Sequence, residues 1–152
     1  MPNVVIADAS CLIVLSKIGE LELLYLLYGQ VYITPEIERE FGENLPSWIS
    51  VETVQNKAYQ KSIETVLDVG EASAIALAIE KRDSLVILDD LKARKFAKQL
   101  KLVLTGTLGV VSKAKERGYC DKIKPIIQKI EKSNFRISPQ IMSDLLSRYG
   151  EE

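Results

Sequence analysis

The feature that most constrains the fold is a short apolar run that stops at two carboxylates. Residues 85–88 read LVIL, and Asp89 and Asp90 follow directly. A helical segment rich in small apolar residues precedes the run, and another helical segment follows it. Unbroken apolar runs between helices are typical of parallel strands covered on both faces. The stretch therefore predicts an α/β fold, in which ligands bind beyond the carboxyl ends of the strands.

The same pattern recurs along the chain. Apolar runs at residues 4–7, 31–33 and 102–104 each lead into a polar turn and a helical segment, and residues 48–54 alternate as an edge strand does. This order predicts a three-layer α/β/α fold with a central, mostly parallel sheet of four to five strands. The chain has 152 residues, enough for one sizeable core and short for two. We therefore expect a single domain over residues 1–152.

The chain contains no histidine. That absence excludes Ser-His-Asp and Cys-His hydrolases, histidine general bases and imidazole metal sites. The two cysteines, Cys11 and Cys120, are too few and too isolated for a disulfide framework or a zinc knuckle. Catalysis by this chain must therefore use carboxylates, hydroxyls, lysine or a hard metal ion.

Composition narrows the partners and the compartment. The net charge is −1, so binding to nucleic acid needs a local basic patch. No apolar run reaches the length of a membrane span, and no basic segment precedes an apolar one near the start. We therefore expect a cytoplasmic protein with no membrane partner.

Carboxylates follow the predicted strands from widely separated parts of the chain. Right-handed crossovers bring the ends of parallel strands to one edge of the sheet, so these side chains should gather there. Gathered carboxylates repel one another unless a divalent cation lies among them, and Mg²⁺ and Mn²⁺ prefer oxygen ligands. The sequence therefore predicts a site for Mg²⁺ (or Mn²⁺), with hydroxyls in support. The predicted metal ligands are Asp8, Glu71, Asp89 and Asp90, the further catalytic acid is Glu40, and the supporting hydroxyls are those of Ser10 and Thr107.

Structural interpretations of the same residues stay open at this point. Asp68 and Glu71 have the spacing of a capping box, which stabilises a helix start without any chemistry. Asp89 and Asp90 precede the helical segment at residues 91–100 and are suited to cap it.

The chain resembles PIN-domain ribonucleases, of the VapC-like type found as toxins in prokaryotic toxin–antitoxin pairs. The resemblance rests on IADASCLIVLSKIG, ITPEIEREF, DVGEASAIALA, VILDDLKARKFA and LTGTLGVVSKAKERG, which cover most of the chain in the family order. The tail KPIIQKIEKSNFRISPQIMSDLLSRYGE is similar to one branch of predicted prokaryotic PIN proteins. The resemblance implies an endoribonuclease that uses Mg²⁺ or Mn²⁺ to hydrolyse RNA phosphodiester bonds.

The resemblance also assigns positions. Asp8 matches the first acid of the family, with the hydroxyl of Ser10 two places on. Glu40 matches the second acid, and Glu71 stands where many members have Asp. Asp90 best matches the last acid, but Asp89 is adjacent and the two can exchange roles. Thr107 matches a residue in the Gly-Thr turn.

Partners follow partly from the residues and partly from the resemblance. The helix after Asp90 is basic, and Arg94, Lys95 and Lys98 are predicted to bind RNA phosphates, although a solvated helix face explains them equally well. Residues 21–28 are apolar on more than one face, which suggests either core packing or a homodimer. A small antitoxin partner is implied by the resemblance alone.

Competing function classes lack their required residues. A haloacid-dehalogenase phosphatase needs Asp-x-Asp after the first strand, where Ser10 occupies the second position. A receiver domain needs an acidic pair there, and a dinucleotide-binding domain needs a glycine-rich turn. The alternative that remains is a non-catalytic PIN-like module that binds RNA or protein.

Overall fold

Five short strands form one parallel sheet in the computed structural model, which describes residues 2–152. The strands are β1 Val4–Ala7, β2 Val31–Ile33, β3 Ile49–Val51, β4 Ser84–Ile87 and β5 Val103–Thr105. The helices within the same residues are α1 Ala9–Lys17, α2 Glu22–Tyr28, α3 Pro35–Phe41, α4 Lys57–Ile63, α5 Val69–Glu80, α6 Leu91–Gln99, α7 Thr107–Glu116, α8 Lys124–Lys132 and α9 Pro139–Arg148.

The strand order β3-β2-β1-β4-β5 determines where a ligand can bind. From β1 the chain moves outward through β2 to β3, then returns past β1 to β4 and β5, and every neighbouring pair is parallel. Right-handed crossovers of this order place helices on both faces of the sheet, which gives three layers. The connections leaving β1 and β4 run in opposite directions, so a crevice opens beyond the carboxyl ends of these two strands.

The sheet is buried, as its apolar runs predict. Ala7 pairs with Ile87, both are 0% exposed, and the backbone N–H of Asp8 continues the ladder by donating to the Ile87 carbonyl at 3.1 Å. Helix α5 is buried from Gly70 to Ala78 and packs on β1 and β4. Its small side chains allow the helix to lie close to the sheet. The fold prediction of an α/β/α arrangement around four to five parallel strands is thus confirmed.

Some helix boundaries differ from the prediction for local reasons. The sequence predicts a helix over residues 110–117, but α7 begins three residues earlier, at Thr107, because the N–H of Thr107 donates to Asp89. The polar helix predicted over residues 55–66 is reduced to α4, whose start is fixed by the side chain of Asn56 accepting from the Tyr59 N–H. The edge strand predicted over residues 48–54 is likewise shorter.

The apolar side chains of α2 are divided between the core and the surface. Leu23, Leu24 and Leu27 are buried, while Tyr25 and Leu26 are 48% and 43% exposed. The Tyr25 ring lies against Trp48, with 5.7 Å between centroids. Most of the apolar character therefore serves the core, and two side chains are left on the surface.

Both cysteines are free thiols. Within the described part of the chain, no helix combines the length and apolarity needed to cross a membrane.

Candidate active site

Asp8 lies at the floor of the crevice between β1 and β4. It follows β1 directly, precedes α1 as its N-cap residue, and is 6% exposed. Its side chain makes no capping hydrogen bond to the first turn of α1. Its Oδ1 atom is buried, and no donor within residues 2–152 hydrogen-bonds to it. An unpartnered buried carboxylate oxygen is costly, so this position is not explained by folding alone.

Three carboxylates converge on the start of α5 because Gly70 has no side chain. A Cβ built on Gly70 would lie 2.8 Å from Glu40 Oε1, 3.4 Å from Asp8 Oδ1 and 3.7 Å from Asp68 Oδ1. Asp8 follows β1, Glu40 lies on α3 and Asp68 caps α5, and each of the three oxygens lies within 4 Å of the place where a Gly70 side chain would begin. The structure thus brings together Asp8 and Glu40, as predicted for the sheet edge.

Asp68 belongs to this cluster, although the sequence identified it only as a helix cap. The capping box is present: Asp68 Oδ1 accepts from the Glu71 N–H at 2.8 Å, and Glu71 Oε1 accepts from the Asp68 N–H at 3.4 Å. The structural interpretation of this pair is therefore correct, and the same two carboxyl groups also face Asp8. The spacing of the capping box does not reveal that Asp68 lies near Asp8, because only the tertiary fold brings the two residues together.

Buried hydroxyls fix the start of α5 against the start of α3. Thr34 caps α3 by accepting from the Ile37 N–H, and its hydroxyl lies 2.6 Å from that of Ser73. The Ser73 hydroxyl donates to the Gly70 carbonyl at 2.7 Å, so the hydrogen between the two hydroxyls comes from Thr34. This chain of bonds holds the Gly70 backbone beside the helix that carries Glu40.

Burial and mutual repulsion make the cluster hard to ionise. Burial raises the pKa of Asp8 to about 7, and the nearby carboxylates of Glu71, Asp68 and Glu40 act in the same direction. The nearby backbone N–H of Ala9 opposes this rise in the pKa. Burial likewise raises the pKa of Glu71 to about 7, with Asp68, Asp90 and Glu40 adding repulsion. The pKa of Glu40 is raised by burial and by Asp68.

Asp89 and Asp90 have different environments, which the sequence left exchangeable. Asp89 accepts three hydrogen bonds: from the Thr107 N–H at 2.7 Å, the Thr107 hydroxyl at 2.6 Å and the Ser10 hydroxyl at 3.2 Å. The two predicted supporting hydroxyls thus hold Asp89. Asp90 accepts one bond, from the Ala93 N–H at 3.0 Å, and caps α6. Asp90 is exposed and close enough to Glu71 to affect its pKa.

Two of the three predicted RNA-binding residues lie on one face of α6, and the third lies on another face. Arg94 and Lys98 line a groove beside Asp89, and the Arg94 guanidinium donates to the Leu88 carbonyl at 2.7 Å. Lys95 is exposed but does not line this groove. Residues four apart share a helix face and adjacent residues do not, which accounts for the division.

The donor set fits a hard divalent cation, although the carboxylates do not form a closed cage. Hard cations prefer carboxylate oxygens, and the unpartnered Asp8 oxygen lies on the same side of Gly70 as those of Glu40 and Asp68. Within residues 2–152, no group of three or more Asp, Glu, Cys or His side chains is arranged closely enough to constitute a metal site. Mutual repulsion is a physical reason for carboxylates to stand apart when no cation lies among them.

Comparison with known families gives one match. The profile of the DUF3368 family, described as a PIN domain, matches residues 4–151. No curated protein and no solved structure matches the chain.

Proposed function

The chain belongs to the DUF3368 family of PIN domains, which are generally nucleases that use divalent metals, and we propose that it is a Mg²⁺- or Mn²⁺-dependent endoribonuclease. The observation that carries this proposal is the convergence of Asp8, Glu40 and Asp68 on Gly70, with one buried Asp8 oxygen unpartnered. A metal-dependent nuclease needs such an arrangement, because a cation bound by carboxylates offsets the charge of a phosphate.

Each side chain receives a role from its environment. Asp8 and Asp90 are assigned as the ligands of the cation, and Glu71 completes or orients the set because it contacts the Asp68 backbone and faces both. Glu40 and Asp68 lie at the exposed rim, where they act through water or at a second cation. Asp89 orients the α7 start rather than binding the cation, because its oxygens already accept from Ser10 and Thr107. When bound, the cation supplies Lewis acidity to activate water and to offset charge on the leaving oxygen.

The first test separates catalysis from folding with Asp8→Asn. The substitution removes a ligand and also relieves repulsion, so the variant should fold at least as stably as the parent in EDTA. Its rate of RNA cleavage should fall about a hundredfold or more, since losing even an outer contact to a metal ligand costs 10- to 100-fold. Mn²⁺ affinity, measured by calorimetry, should fall with it. Asp121→Asn, at an exposed carboxylate far along the chain, is the matched control.

Three outcomes would contradict the proposal. Cleavage that persists in EDTA would exclude metal dependence. Unchanged cleavage and Mn²⁺ affinity in Asp8→Asn would remove Asp8 from the site. RNA binding without any cleavage by the parent, in either Mg²⁺ or Mn²⁺, would favour the alternative function, a non-catalytic module that binds RNA or protein.

The biological setting remains at the level of the family resemblance. We propose a toxin of a cytoplasmic toxin–antitoxin pair, with a small antitoxin covering the acidic crevice. Co-expression with the neighbouring small reading frame tests this, and failure of the two chains to co-purify would count against it.

A homodimer is a separate proposal, supported by the exposed Tyr25 and Leu26 on α2. Light scattering at tens of micromolar, the order of concentration at which a stable interface is occupied, should give twice the chain mass. A monomer mass at that concentration would reject it.

A further inference from the structure

A groove next to the carboxylates has the composition of a nucleic-acid site. It measures about 1330 Å³ and runs between α6, the β5–α7 turn and residues 134–141. Asp89 borders it, and Ser10, which donates to Asp89, does not line it and stands two residues after Asp8. Asp89 and Ser10 therefore connect the groove to the strand end that carries Asp8.

The charges of the groove favour an anion. Its cations are Arg94, Lys98 and Arg136, against Asp89 and Glu131. Within residues 2–152 none of the three cations forms an ion pair with a carboxylate. The charge of Asp89 is already engaged by its three hydrogen bonds. The smaller clefts differ, because one along α7 and α9 carries two cations against two anions, and one near residues 121–125 carries three against three.

Three helices begin at this groove. Leu91 starts α6, Leu108 and Gly109 belong to the first turn of α7, and Ser138 caps α9. The first turns of these three described helices carry no acidic residue, although acidic residues are favoured there. The cap of α9 is the neutral hydroxyl of Ser138. The N-termini of α6 and α7 are already capped by the carboxylates of Asp90 and Asp89. The N-terminus of α9, with its neutral cap, is therefore the one that adds to the attraction for phosphate.

An aromatic ring completes the site. Phe135 is half-buried and lines the groove between Asn134 and Arg136. Proteins that bind single strands combine a cationic path for the backbone with aromatic rings on which bases stack. Bases in a duplex are stacked on each other and are not available to such a ring.

We propose that this groove binds single-stranded RNA beside the cleavage site, with one base stacked on Phe135 and the flanking phosphates held by Arg94, Lys98 and Arg136. The inference rests on the proposed function and adds a place on this chain, outside the acidic crevice, where the substrate is held. The loop of residues 133–138, between α8 and α9, supplies the ring and one cation, so this C-terminal part of the chain determines how the substrate is held.

The test measures binding without cleavage. A dye-labelled single-stranded RNA of about ten nucleotides, the range covered by single-strand sites, is titrated with protein in EDTA and followed by fluorescence anisotropy. Phe135→Leu should weaken binding about five- to a hundredfold, the range expected for loss of one stacked base. Phe135→Tyr keeps the ring and should bind as the parent does. Arg136→Gln should make the negative slope of log K against log salt shallower by about 0.7, the change expected for loss of one phosphate contact on a single strand.

Matched controls lie outside the groove. Tyr119→Leu removes an exposed ring beyond the end of α7, and Lys61→Gln removes an exposed cation from α4. Neither should change the affinity for single-stranded RNA or its salt slope. Thermal melting checks that Phe135→Leu is folded, because Phe135 packs against the core. A duplex of the same sequence should bind more weakly and be insensitive to Phe135→Leu.

Failure of this inference is distinguishable from failure of the proposed function. If the parent cleaves RNA but Phe135→Leu and Arg136→Gln bind it unchanged, the groove is not the RNA site and the nuclease stands. If these variants bind RNA normally but lose a co-purifying protein partner, the occupant is a peptide and the inference is overturned. If they lose RNA binding while Asp8→Asn cleaves normally, the groove stands and the catalytic assignment fails.

Discussion

Asp8 and Asp89 occupy comparable positions and have opposite environments. Each follows the carboxyl end of a central strand, precedes a helix, and approaches a glycine of another segment. The carboxylate of Asp89 accepts three hydrogen bonds beside Gly106, whereas that of Asp8 has an unpartnered oxygen beside Gly70. Burial and like charges raise the pKa of Asp8 to about 7.

The two carboxylates therefore affect stability differently. The hydrogen bonds of Asp89 stabilise the fold, whereas the ionised carboxylate of Asp8 needs a positive charge nearby to be stable. Asp89 satisfies the first N–H of α7 and connects β4 to α1 through Ser10. Asp8 lowers the stability of the folded chain whenever it is ionised and no cation is bound. The two regions should therefore respond oppositely to the same substitutions.

The largest expected effect is a fall in the free energy of unfolding with rising pH, caused by the Asp8 carboxyl. The folded carboxyl has a pKa of about 7 against a reference of 3.8, so the folded chain keeps a proton that the unfolded chain releases as pH rises between these values. Stability in EDTA should fall over that window by about 1.4 kcal/mol per pH unit, or about 4 kcal/mol in total, for this group. Urea unfolding at pH 4.5 and pH 7.5 measures the change.

Asp8→Asn isolates this contribution from those of other carboxylates. The variant should lack the decline, and the difference between parent and variant should grow with pH up to about 7. Saturating Mg²⁺ should restore the stability of the parent at pH 7.5 and not that of the variant. Identical pH profiles for the two proteins would show that Asp8 is a satisfied structural carboxylate, equivalent to Asp89.

The second effect is the loss of Asp89. Asp89→Ala removes three hydrogen bonds and leaves the Thr107 N–H without its acceptor, so we expect a loss of about 2–4 kcal/mol from the free energy of unfolding. Asp121→Ala, at an exposed site, should stay within about 0.5 kcal/mol of the parent. If Asp89→Ala proves as stable as that control, the contrast between the two strand ends does not hold.

A methyl group at Gly106 should have a smaller effect. Its Cβ would lie 2.8 Å from Asp89 Oδ1 and 3.0 Å from an Arg94 guanidinium nitrogen. Asp89 is held by Thr107 and cannot move away freely, so Gly106→Ala should destabilise by about 1–2 kcal/mol. Differential scanning calorimetry measures this effect. An unchanged melting temperature would mean that Asp89 and Arg94 can move to accommodate the methyl group.

The smallest effect on stability is expected at Gly70. Its Cβ would meet Glu40 Oε1 at 2.8 Å, but that atom ends an exposed, flexible side chain that can swing aside. Alanine is also the better helix former, so Gly70→Ala should stay within about 0.5 kcal/mol of the parent. Mn²⁺ affinity should nevertheless fall, because Glu40 is displaced. If Gly70→Ala instead loses stability and keeps its Mn²⁺ affinity, the surroundings of Gly70 are rigid and Glu40 does not contribute to metal binding.

Local sequence signals predicted most of the fold. β1 coincides with the apolar run at residues 4–7, and α3 begins at Pro35 after Thr34, because threonine is a favoured cap and proline a favoured first residue of a helix. Each of these signals lies within or directly beside the element it defines. The start of α7 was missed because the group that stabilises it is Asp89, 18 residues earlier. Boundaries set by distant partners are not visible in a local pattern.

The candidate site was predictable in its members but not in their division of tasks. Carboxylates after parallel strands had to gather at one edge, as Asp8 and Asp89 do. Which of them is satisfied depends on contacts such as that between Ser10 and Asp89, which are 79 residues apart. The same limit concealed Asp68, whose cap is local and whose approach to Asp8 is tertiary. Helix phase, by contrast, was available to separate Lys95 from Arg94 and Lys98.

The pairing of β1 with β4 also sets a schedule during synthesis. Asp8 cannot receive its strand partner until Ile87 has been made, and the Ser10–Asp89 contact spans 79 residues. At about 5–20 residues per second, this interval lasts roughly 4–16 s on the ribosome. The nascent chain carries the first acid of the site through that interval without the segment that completes it. The candidate site is thus complete only after more than half of the polypeptide has been translated.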